Sequence, residues 1–225
     1  MLITFVGPQG SGKTTQALLL KKALTGNKYL KVHLTTAIYY SLVSRLWYKL
    51  LMVITRRKIK YRFYENASVQ EFVDPNILNK LLILDLLVNI ASALLSLLKL
   101  HILLLFHDVV IEDEGCLFNQ IAYIAFVHRK HVAPAQMVKR LLILQRLMPR
   151  NFIILFLRVN YKQLRERYIK RGSRIEPAHY IEFQLQIYDM IAKHLPVHVI
   201  KVDAGEAIET ISQQIWKVIS QYRWS

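Results

Sequence analysis

The residues most able to do chemistry lie in one short stretch near the N-terminus, Gly7-Pro8-Gln9-Gly10-Ser11-Gly12-Lys13-Thr14-Thr15. The stretch fits the phosphate-loop pattern GxxxxGK[ST] at every fixed position. In such a loop, backbone N–H groups converge on phosphate oxygens, the lysine reaches the β and γ phosphates, and the following hydroxyl ligates Mg²⁺. We therefore predict a site for ATP and Mg²⁺, formed by Gln9, Gly10, Ser11, Gly12, Lys13, Thr14 and Thr15.

A group of carboxylates follows the apolar run Val109-Val110-Ile111, as Glu112-Asp113-Glu114. In phosphate-loop proteins an acid at the end of such a strand holds the water shell of Mg²⁺. Asp113 and Thr14 are therefore the predicted metal residues. Glu114 is a candidate to polarise an attacking water or an acceptor hydroxyl, and an ordinary strand-end carboxylate is the open alternative.

Basic residues are dense in a later segment, where Arg165, Arg167, Lys170, Arg171 and Arg174 fall within ten residues. Arginines on a mobile segment could close over ATP and neutralise the transferring phosphoryl group. We predict a lid-like segment around residues 162–176, with a plain basic helix end as the competing interpretation. The predicted catalytic residues are Lys13, Asp113, Glu114, Arg167, Arg171 and Arg174.

The elements around these residues predict the fold class. Leu2–Val6 is an apolar run typical of a buried strand, and a helical pattern follows the glycine loop. Further strand patterns alternate with helical ones, at residues 29–34, 109–112, 152–157 and 197–202. This alternation predicts an α/β protein with the P-loop NTPase fold, in which a mostly parallel central sheet lies between two helical layers. With 225 residues, the chain is long enough for one such domain spanning 1–225.

The longest apolar stretch runs from Ile77 to Phe106, which raises the question of a membrane span. Its polar residues are spaced four, three, four and three apart, as Asp85, Asn89, Ser92, Ser96 and Lys99. A lipid-spanning helix gains nothing from such a stripe, and an Asp at membrane depth would cost about 2.5–3.5 kcal/mol. We expect a central core helix whose polar stripe faces solvent or the active-site cleft.

The charge balance points to anionic partners, because 31 Lys and Arg stand against 15 Asp and Glu, a formal net charge of +16. A basic helical insertion is predicted around residues 41–64, where five of the seven residues from Arg56 to Arg62 are basic. The run is either a solvated helix end or an anion-binding surface for an acceptor, an acidic membrane or nucleic acid. Ser41 to Arg62 is also an amphipathic segment of the kind that attaches to membranes.

Two further features bear on location. The chain has one cysteine, Cys116, so no internal disulfide can form. Its N-terminus lacks a basic segment followed by a signal-like apolar core. We therefore expect a cytoplasmic protein, with peripheral membrane attachment as the open addition.

Taken in order, these motifs resemble the thymidylate-kinase-like group of phosphate-loop kinases. Gly10 to Gln16 matches the start of that family, and Val109 to Asp113 resembles its strand ending in Asp-Arg. Three groups of residues resemble the family's lid arginines and the Arg-x-Glu that follows them: Arg167, Arg171-Gly172 and Arg174-Ile175-Glu176. Tyr188 resembles a tyrosine on the family's next helix, and Val199 to Ala204 resembles the family's last strand. The resemblance implies an ATP-dependent kinase fold and a homodimer through the central apolar helix.

The chain departs from that family on the acceptor side. Glu114 stands where the family has the arginine of Asp-Arg, and Leu86 follows Asp85 where the family has a second Asp-Arg. The family's Thr-Arg-Glu-Pro-Gly segment is replaced by Leu34-Thr35-Thr36-Ala37-Ile38. The donor side of the family site is thus retained, while several contacts to an acceptor phosphate are missing.

The sequence thus predicts an enzyme that moves the γ-phosphoryl group of ATP·Mg²⁺ to a small acceptor. The acceptor predicted first is a nucleoside monophosphate or related metabolite, and a sugar, lipid-linked or other alcohol stays open. The alternative function is a P-loop ATPase or nucleotide switch that binds an anionic partner or a membrane surface.

Overall fold

A computed structural model describes residues 1–26, 30–35, 46–47, 49–50, 53, 75–172, 178–196 and 199–222. Most of the predicted basic insertion at 41–64, including the whole run from Arg56 to Arg62, lies outside these residues. Arg174 lies outside them as well. The division of the chain into a domain, an insertion and a lid stays a prediction.

Five parallel strands form the central sheet in the order β2-β3-β1-β4-β5. The strands are β1 (Leu2–Val6), β2 (Val32–Thr35), β3 (Val109–Glu112), β4 (Phe152–Arg158) and β5 (Val199–Asp203). Because every strand runs in the same direction, all five carboxyl ends meet at one edge of the sheet. The β1–α1 loop and the acidic turn after β3 both lie at this edge.

Helices connect the strands and cover both faces of the sheet, which confirms the predicted three-layer α/β/α fold. They are α1 (Lys13–Thr25), α2 (Pro75–Phe106), α3 (Cys116–Val127), α4 (Pro134–Leu141), α5 (Tyr161–Lys170), α6 (Ala178–His194) and α7 (Ile208–Ile219), with a 3-10 helix at Leu142–Leu147. Pro134 begins α4, because the first turn of a helix tolerates a residue without an N–H.

Two hydrophobic cores lie on opposite faces of the sheet, as the two-residue period of a strand requires. In β1, Leu2 and Val6 belong to the core formed with α2, α3 and α6. The intervening Ile3 and Phe5 belong to the core formed with α1 and α7. Strands buried on both faces therefore read as continuous apolar runs in the sequence.

The first three residues of the polar stripe on helix α2 do not face solvent. Asp85, Asn89 and Ser92 are buried, while much of its apolar surface is exposed. Its segment Ile83–Phe106 is long and apolar enough to cross a membrane, by length and composition alone. The polar stripe faces inward because it has partners there: Trp47 Nε1 donates to Asp85 Oδ1 at 2.9 Å, and Asn89 Nδ2 donates to Asp85 Oδ2 at 3.1 Å.

The buried Asp85 carboxyl makes a pH dependence of stability testable. Burial raises its pKa from 3.8 to about 6, against the opposing hydrogen bonds of Trp47 and Asn89. The folded protein therefore holds the Asp85 proton more tightly than the unfolded chain. As pH rises from 3.8 to about 6 the proton is lost, and the free energy of unfolding falls. Relative to Asp85→Asn, wild type should lose about 2 kcal/mol between pH 4 and pH 7 in urea unfolding.

Glu209→Gln provides the control, because Glu209 is an exposed carboxylate at the start of α7. It should leave the pH slope of stability close to that of wild type. Identical slopes for wild type and Asp85→Asn would contradict the prediction.

Candidate active site

The phosphate loop joins β1 to α1 and packs tightly against the neighbouring strand. Gly7 cannot be replaced without movement, since a Cβ there would lie 2.6 Å from the Leu157 carbonyl oxygen of β4. Behind the loop, a Cβ on Gly10 would contact Leu164 and Tyr168 of α5. The Tyr168 hydroxyl donates to the Gln9 carbonyl oxygen at 3.3 Å. The loop is therefore held from β4 on one side and from α5 on the other.

Lys13 lies within the loop, with only 5 % of its side chain exposed. Its ammonium donates to the carbonyl oxygens of Gly7 at 2.9 Å and Pro8 at 3.0 Å. The Glu114 carboxylate lies 3.9 Å away. A buried ammonium with these partners is positioned to exchange carbonyl contacts for phosphate oxygens, to which it would bind as a point charge.

Thr14 and Asp113 meet where the loop approaches the end of β3. Asp113 is buried. Burial raises the pKa of Asp113, and the nearby Glu114 raises it further, while the Thr14 side chain and the charge of Lys13 oppose the shift. The Asp113 carboxylate oxygen Oδ1 is buried and makes no hydrogen bond.

This pair fits Mg²⁺, which prefers oxygen ligands and takes one or two from protein when the remainder come from phosphate and water. The Thr14 hydroxyl and the unpaired Asp113 Oδ1 are ligands of that kind. In the described part of the chain, no group of three His, Cys, Asp or Glu side chains could hold a metal by itself. Thr14 and Asp113 would supply two oxygen ligands, so a cation here would take its remaining ligands from water or a bound anion.

Glu114 is held by a hydrogen-bonded chain that reaches across α3 to α6. Asn119 Nδ2 donates to the Glu114 carbonyl oxygen, and the Tyr188 hydroxyl donates to Asn119 Oδ1. Both Asn119 and Tyr188 are buried. Asn119 was not among the predicted site residues. Its signal in the sequence was an Asn-Gln pair within the otherwise apolar pattern of α3, because buried polar side chains need specific partners.

Gly115 allows the acidic turn to approach the phosphate loop. It has a left-handed φ of 56°, and a Cβ there would lie 2.6 Å from Val6 Cγ2 and 2.8 Å from the Phe5 carbonyl oxygen. Only glycine combines this conformation with so close an approach. Gly115 thus sets the distance between Glu114 and the loop.

Arg167 occupies a different position from the one expected of a lid residue. Its Nη1 donates to the carbonyl oxygens of Gly10 at 3.3 Å and Ser11 at 3.4 Å, and its Nη2 donates to that of Ala204 at 2.5 Å. Burial, and secondarily the charge of Arg171, lowers its pKa. Arg167 therefore links the phosphate loop to the turn after β5, and its contact with a γ-phosphate stays a prediction.

The structure thus brings together part of the predicted set. Lys13, Thr14, Asp113 and Glu114 form one cluster, and Gln9, Gly10, Ser11 and Gly12 form the loop beside it. Thr15 follows in α1 and is half-buried, while the Ser11 hydroxyl is buried without a hydrogen-bond partner. Arg171 is exposed at the end of α5, and Arg174 lies beyond the described residues.

Among the solved structures with a similar fold are a deoxyadenosine kinase and two thymidylate kinases. A deoxyadenosine kinase from M. mycoides aligns over 99 % of this chain and 100 % of its own, with 17 % identity and a TM-score of 0.61. A thymidylate kinase from Candida albicans aligns over 97 % and 90 %, with 18 % identity and a TM-score of 0.60. One from Ehrlichia chaffeensis aligns over 97 % and 98 %, with 22 % identity and a TM-score of 0.55.

No protein-family model matches the sequence, and no curated protein matches it. The likeness is therefore one of three-dimensional structure. It confirms the thymidylate-kinase-like fold that the motifs imply, over nearly the whole chain.

The packing of Gly115 generates a stability test with an internal control. Gly115→Ala should destabilise the protein by about 2–5 kcal/mol, since the methyl group adds a steric clash to a strained backbone. Gly172 has a similar φ of 61° but no atom within 4 Å of a built Cβ. Gly172→Ala should therefore cost only about 1–2 kcal/mol, the backbone term alone.

Urea unfolding of both variants measures the difference. Equal losses would show that conformation alone, and not the contact with Val6 and Phe5, restricts residue 115.

Proposed function

We propose that this protein transfers the γ-phosphoryl group of ATP·Mg²⁺ to a small acceptor, most directly a nucleoside monophosphate or related metabolite. The observation that carries the proposal is the cluster of Lys13, Thr14, Asp113 and Glu114 at the carboxyl edge of the sheet. Its members follow two adjacent strands, β1 and β3, and each has the chemistry that phosphoryl transfer requires.

Each group has a separate role in the proposal. Loop amides and Lys13 bind the β and γ phosphates, and Thr14 with Asp113 holds the cation. Mg²⁺ bound there would neutralise charge on the phosphate oxygens. Glu114 orients the acceptor and, where the attacking group is a hydroxyl, takes up its proton as the new P–O bond forms and the bond from the γ-phosphorus to ADP breaks. Catalysis of this kind depends on positioning and charge stabilisation more than on covalent chemistry.

The arginines act at two places in this scheme. Arg171 and Arg174 close over the transferring group from the lid-like segment. Arg167 supports the loop from behind through the carbonyl oxygens of Gly10 and Ser11, which keeps the loop N–H groups turned toward the phosphates. A kinase of this design takes its acceptor in the cleft opposite the loop.

The acceptor class rests on two lines of support. The solved structures of the same fold are named as deoxyadenosine and thymidylate kinases, which favours a nucleoside or nucleotide. The carboxylate of Glu114, 3.9 Å from Lys13 Nζ, places an anion where the related family has a cation. An anion there disfavours an acceptor phosphate at the same position, and it supports the alternative acceptor, a sugar, lipid-linked or other alcohol.

A second function, ATP hydrolysis coupled to an anionic partner, is favoured by the same carboxylate. Glu114 follows Asp113 directly and lies beside Lys13, so it could polarise a water in place of an acceptor. The two functions differ in what the reaction needs: a kinase requires the acceptor, and an ATPase does not.

Lys13→Ala should weaken ATP binding and reduce ADP formation by at least about 100-fold, since it removes the charge that binds the β and γ phosphates. Lys22→Ala is the matched control, because Lys22 is exposed at the other end of α1. Calorimetric titration with ATP·Mg²⁺ and an ADP-release assay provide the measurements. Unchanged affinity and turnover in Lys13→Ala would reject the phosphate-loop assignment.

Glu114→Gln separates the two functions. ADP release should be measured alone and with nucleoside monophosphates, nucleosides and sugars. For a kinase, release should need one acceptor and should fall about 10²–10⁴-fold in Glu114→Gln with ATP affinity retained. Equal release without any acceptor, lost in Glu114→Gln, would instead establish an ATPase. A variant as active as wild type would exclude Glu114 from either reaction.

A further inference from the structure

Two buried polar side chains lie behind the acidic turn, in a region that is otherwise a hydrophobic core. Asn119 of α3 and Tyr188 of α6 are each only 2 % exposed. Their neighbours on these helices include the apolar core residues Phe118, Ile121 and Ile187. Packing alone does not require polar groups here, and each buried one needs a hydrogen-bond partner. The partners of Asn119 and Tyr188 therefore indicate what the pair does.

The pair ends at the backbone of Glu114. Asn119 Nδ2 donates to the Glu114 carbonyl oxygen, and the Tyr188 hydroxyl donates to Asn119 Oδ1. Chemistry fixes the direction of these bonds, because a carbonyl oxygen can only accept and so faces the NH₂ group of the amide. The amide oxygen then faces Tyr188, whose hydroxyl must donate. Tyr188 thus sets the orientation of the Asn119 amide.

The glycine after Glu114 makes this carbonyl a sensitive point of the acidic turn. The peptide group between Glu114 and Gly115 can rotate at little backbone cost, since glycine adopts positive and negative φ about equally well. Rotation about its flanking bonds sets the path of the chain from β3 into α3. It also sets the place of the Glu114 carboxylate, which lies 3.9 Å from Lys13 Nζ. The hydrogen bond from Asn119 selects one of the available orientations.

Tyr188 is fixed in turn against the strands that carry the phosphate loop. Its ring packs edge-on against Phe156 of β4, with the ring centroids 5.4 Å apart and the planes at 67°. Phe156 lies opposite Val6 in the register of β4 with β1, and Val6 is the last residue of β1 before the loop. The Tyr188 hydroxyl is therefore held in a defined relation to the loop, and it passes that relation to the acidic turn through Asn119.

We propose that Asn119 and Tyr188 are positioning residues, which hold the Glu114–Gly115 peptide so that the Glu114 carboxylate lies beside Lys13. They act on the reaction through Glu114. This inference rests on the proposed function, which gives Glu114 its role, but the conformation of the turn can be measured without turnover.

A second buried pair of a tyrosine and an amide provides a matched control. Gln184 Nε2 donates to the Tyr180 hydroxyl at 3.1 Å, and both side chains are buried. These residues are one turn apart on α6, so this bond does not link two elements. Tyr180→Phe is the control for Tyr188→Phe, and Gln184→Leu is the control for Asn119→Leu.

Hydrogen–deuterium exchange of the nucleotide-free protein tests the positioning directly. The backbone amides of residues 113–119 should exchange faster in Asn119→Leu and in Tyr188→Phe than in wild type, because the turn samples more conformations. In Tyr180→Phe and Gln184→Leu these amides should exchange as in wild type. Wild-type exchange of the turn in Asn119→Leu, or an equal increase in the control variants, would overturn the proposal.

Steady-state kinetics measures the consequence for the reaction, as ADP release with the acceptor that wild type requires, or without one if wild type hydrolyses ATP. Asn119→Leu and Tyr188→Phe should lower kcat by about 10- to 100-fold, as small displacements of a reacting group do. The KM and the calorimetric Kd for ATP should stay within about twofold of wild type, and the control variants should keep kcat. An unchanged kcat in Asn119→Leu, or an equal loss in Gln184→Leu, would contradict the proposal.

The double variant Asn119→Leu with Tyr188→Phe separates positioning from stability. Replacing both partners by apolar side chains of similar shape removes the unsatisfied side-chain group that each single variant leaves. Thermal stability should therefore return toward that of wild type, while kcat stays low and exchange of the turn stays fast. Return of kcat together with stability would show that the pair only supports the core, which would overturn the proposal.

Calorimetric titration of wild type with ATP·Mg²⁺ keeps the two assignments apart. Absence of binding would reject the proposed function, and the exchange of residues 113–119 would still decide whether Asn119 and Tyr188 hold the turn.

Discussion

The pairing of β1 with β3 is the constraint on which the candidate site depends. The two strands run parallel with Thr4 opposite Glu112, and the Thr4 hydroxyl donates to Glu112 Oε2 at 2.5 Å in the buried interior. Parallel strands end at the same edge, so this register delivers the phosphate loop and the acidic turn to one place. Gly115 then lets the turn approach to contact distance. Without that pairing, Lys13 and Asp113 would be ordinary residues a hundred positions apart.

Local patterns were sufficient to predict the parts of the site that lie at strand ends. The glycine spacing identified the loop, and the acids after an apolar run identified Asp113 and Glu114, because both signals are contained in fewer than ten residues. The fold class followed from alternating strand and helix patterns. Strand boundaries differ by up to three residues: β2 begins at Val32 and ends at Thr35, against a predicted 29–34, and β5 ends at Asp203, one residue later than predicted.

Other features depend on contacts between distant residues and left little trace in the sequence. In the sequence, Arg167 cannot be told apart from the other basic residues near the end of its helix. The packing of α5 brings its guanidinium to the carbonyl oxygens of Gly10 and Ala204. The stripe from Asp85 to Ser92 gave the correct period for a helix, but these residues are buried and do not face solvent. A polar stripe normally marks the solvent side, and here partners such as Trp47 reverse the preference by satisfying the buried groups.

The order of the strands also has a consequence for how this protein is synthesised. β1 is made first, yet its two partners are β3 and β4, with Leu2 opposite Val110 and Phe152. Because β3 is translated more than a hundred residues after β1, the backbone and apolar side chains of β1 stay unpaired during that part of synthesis. The turn after β5, which holds Arg167 through Ala204, emerges later still. Folding of the candidate site is therefore a late event, because β3, β4 and the turn after β5 must all be translated before the loop after β1 is held in place.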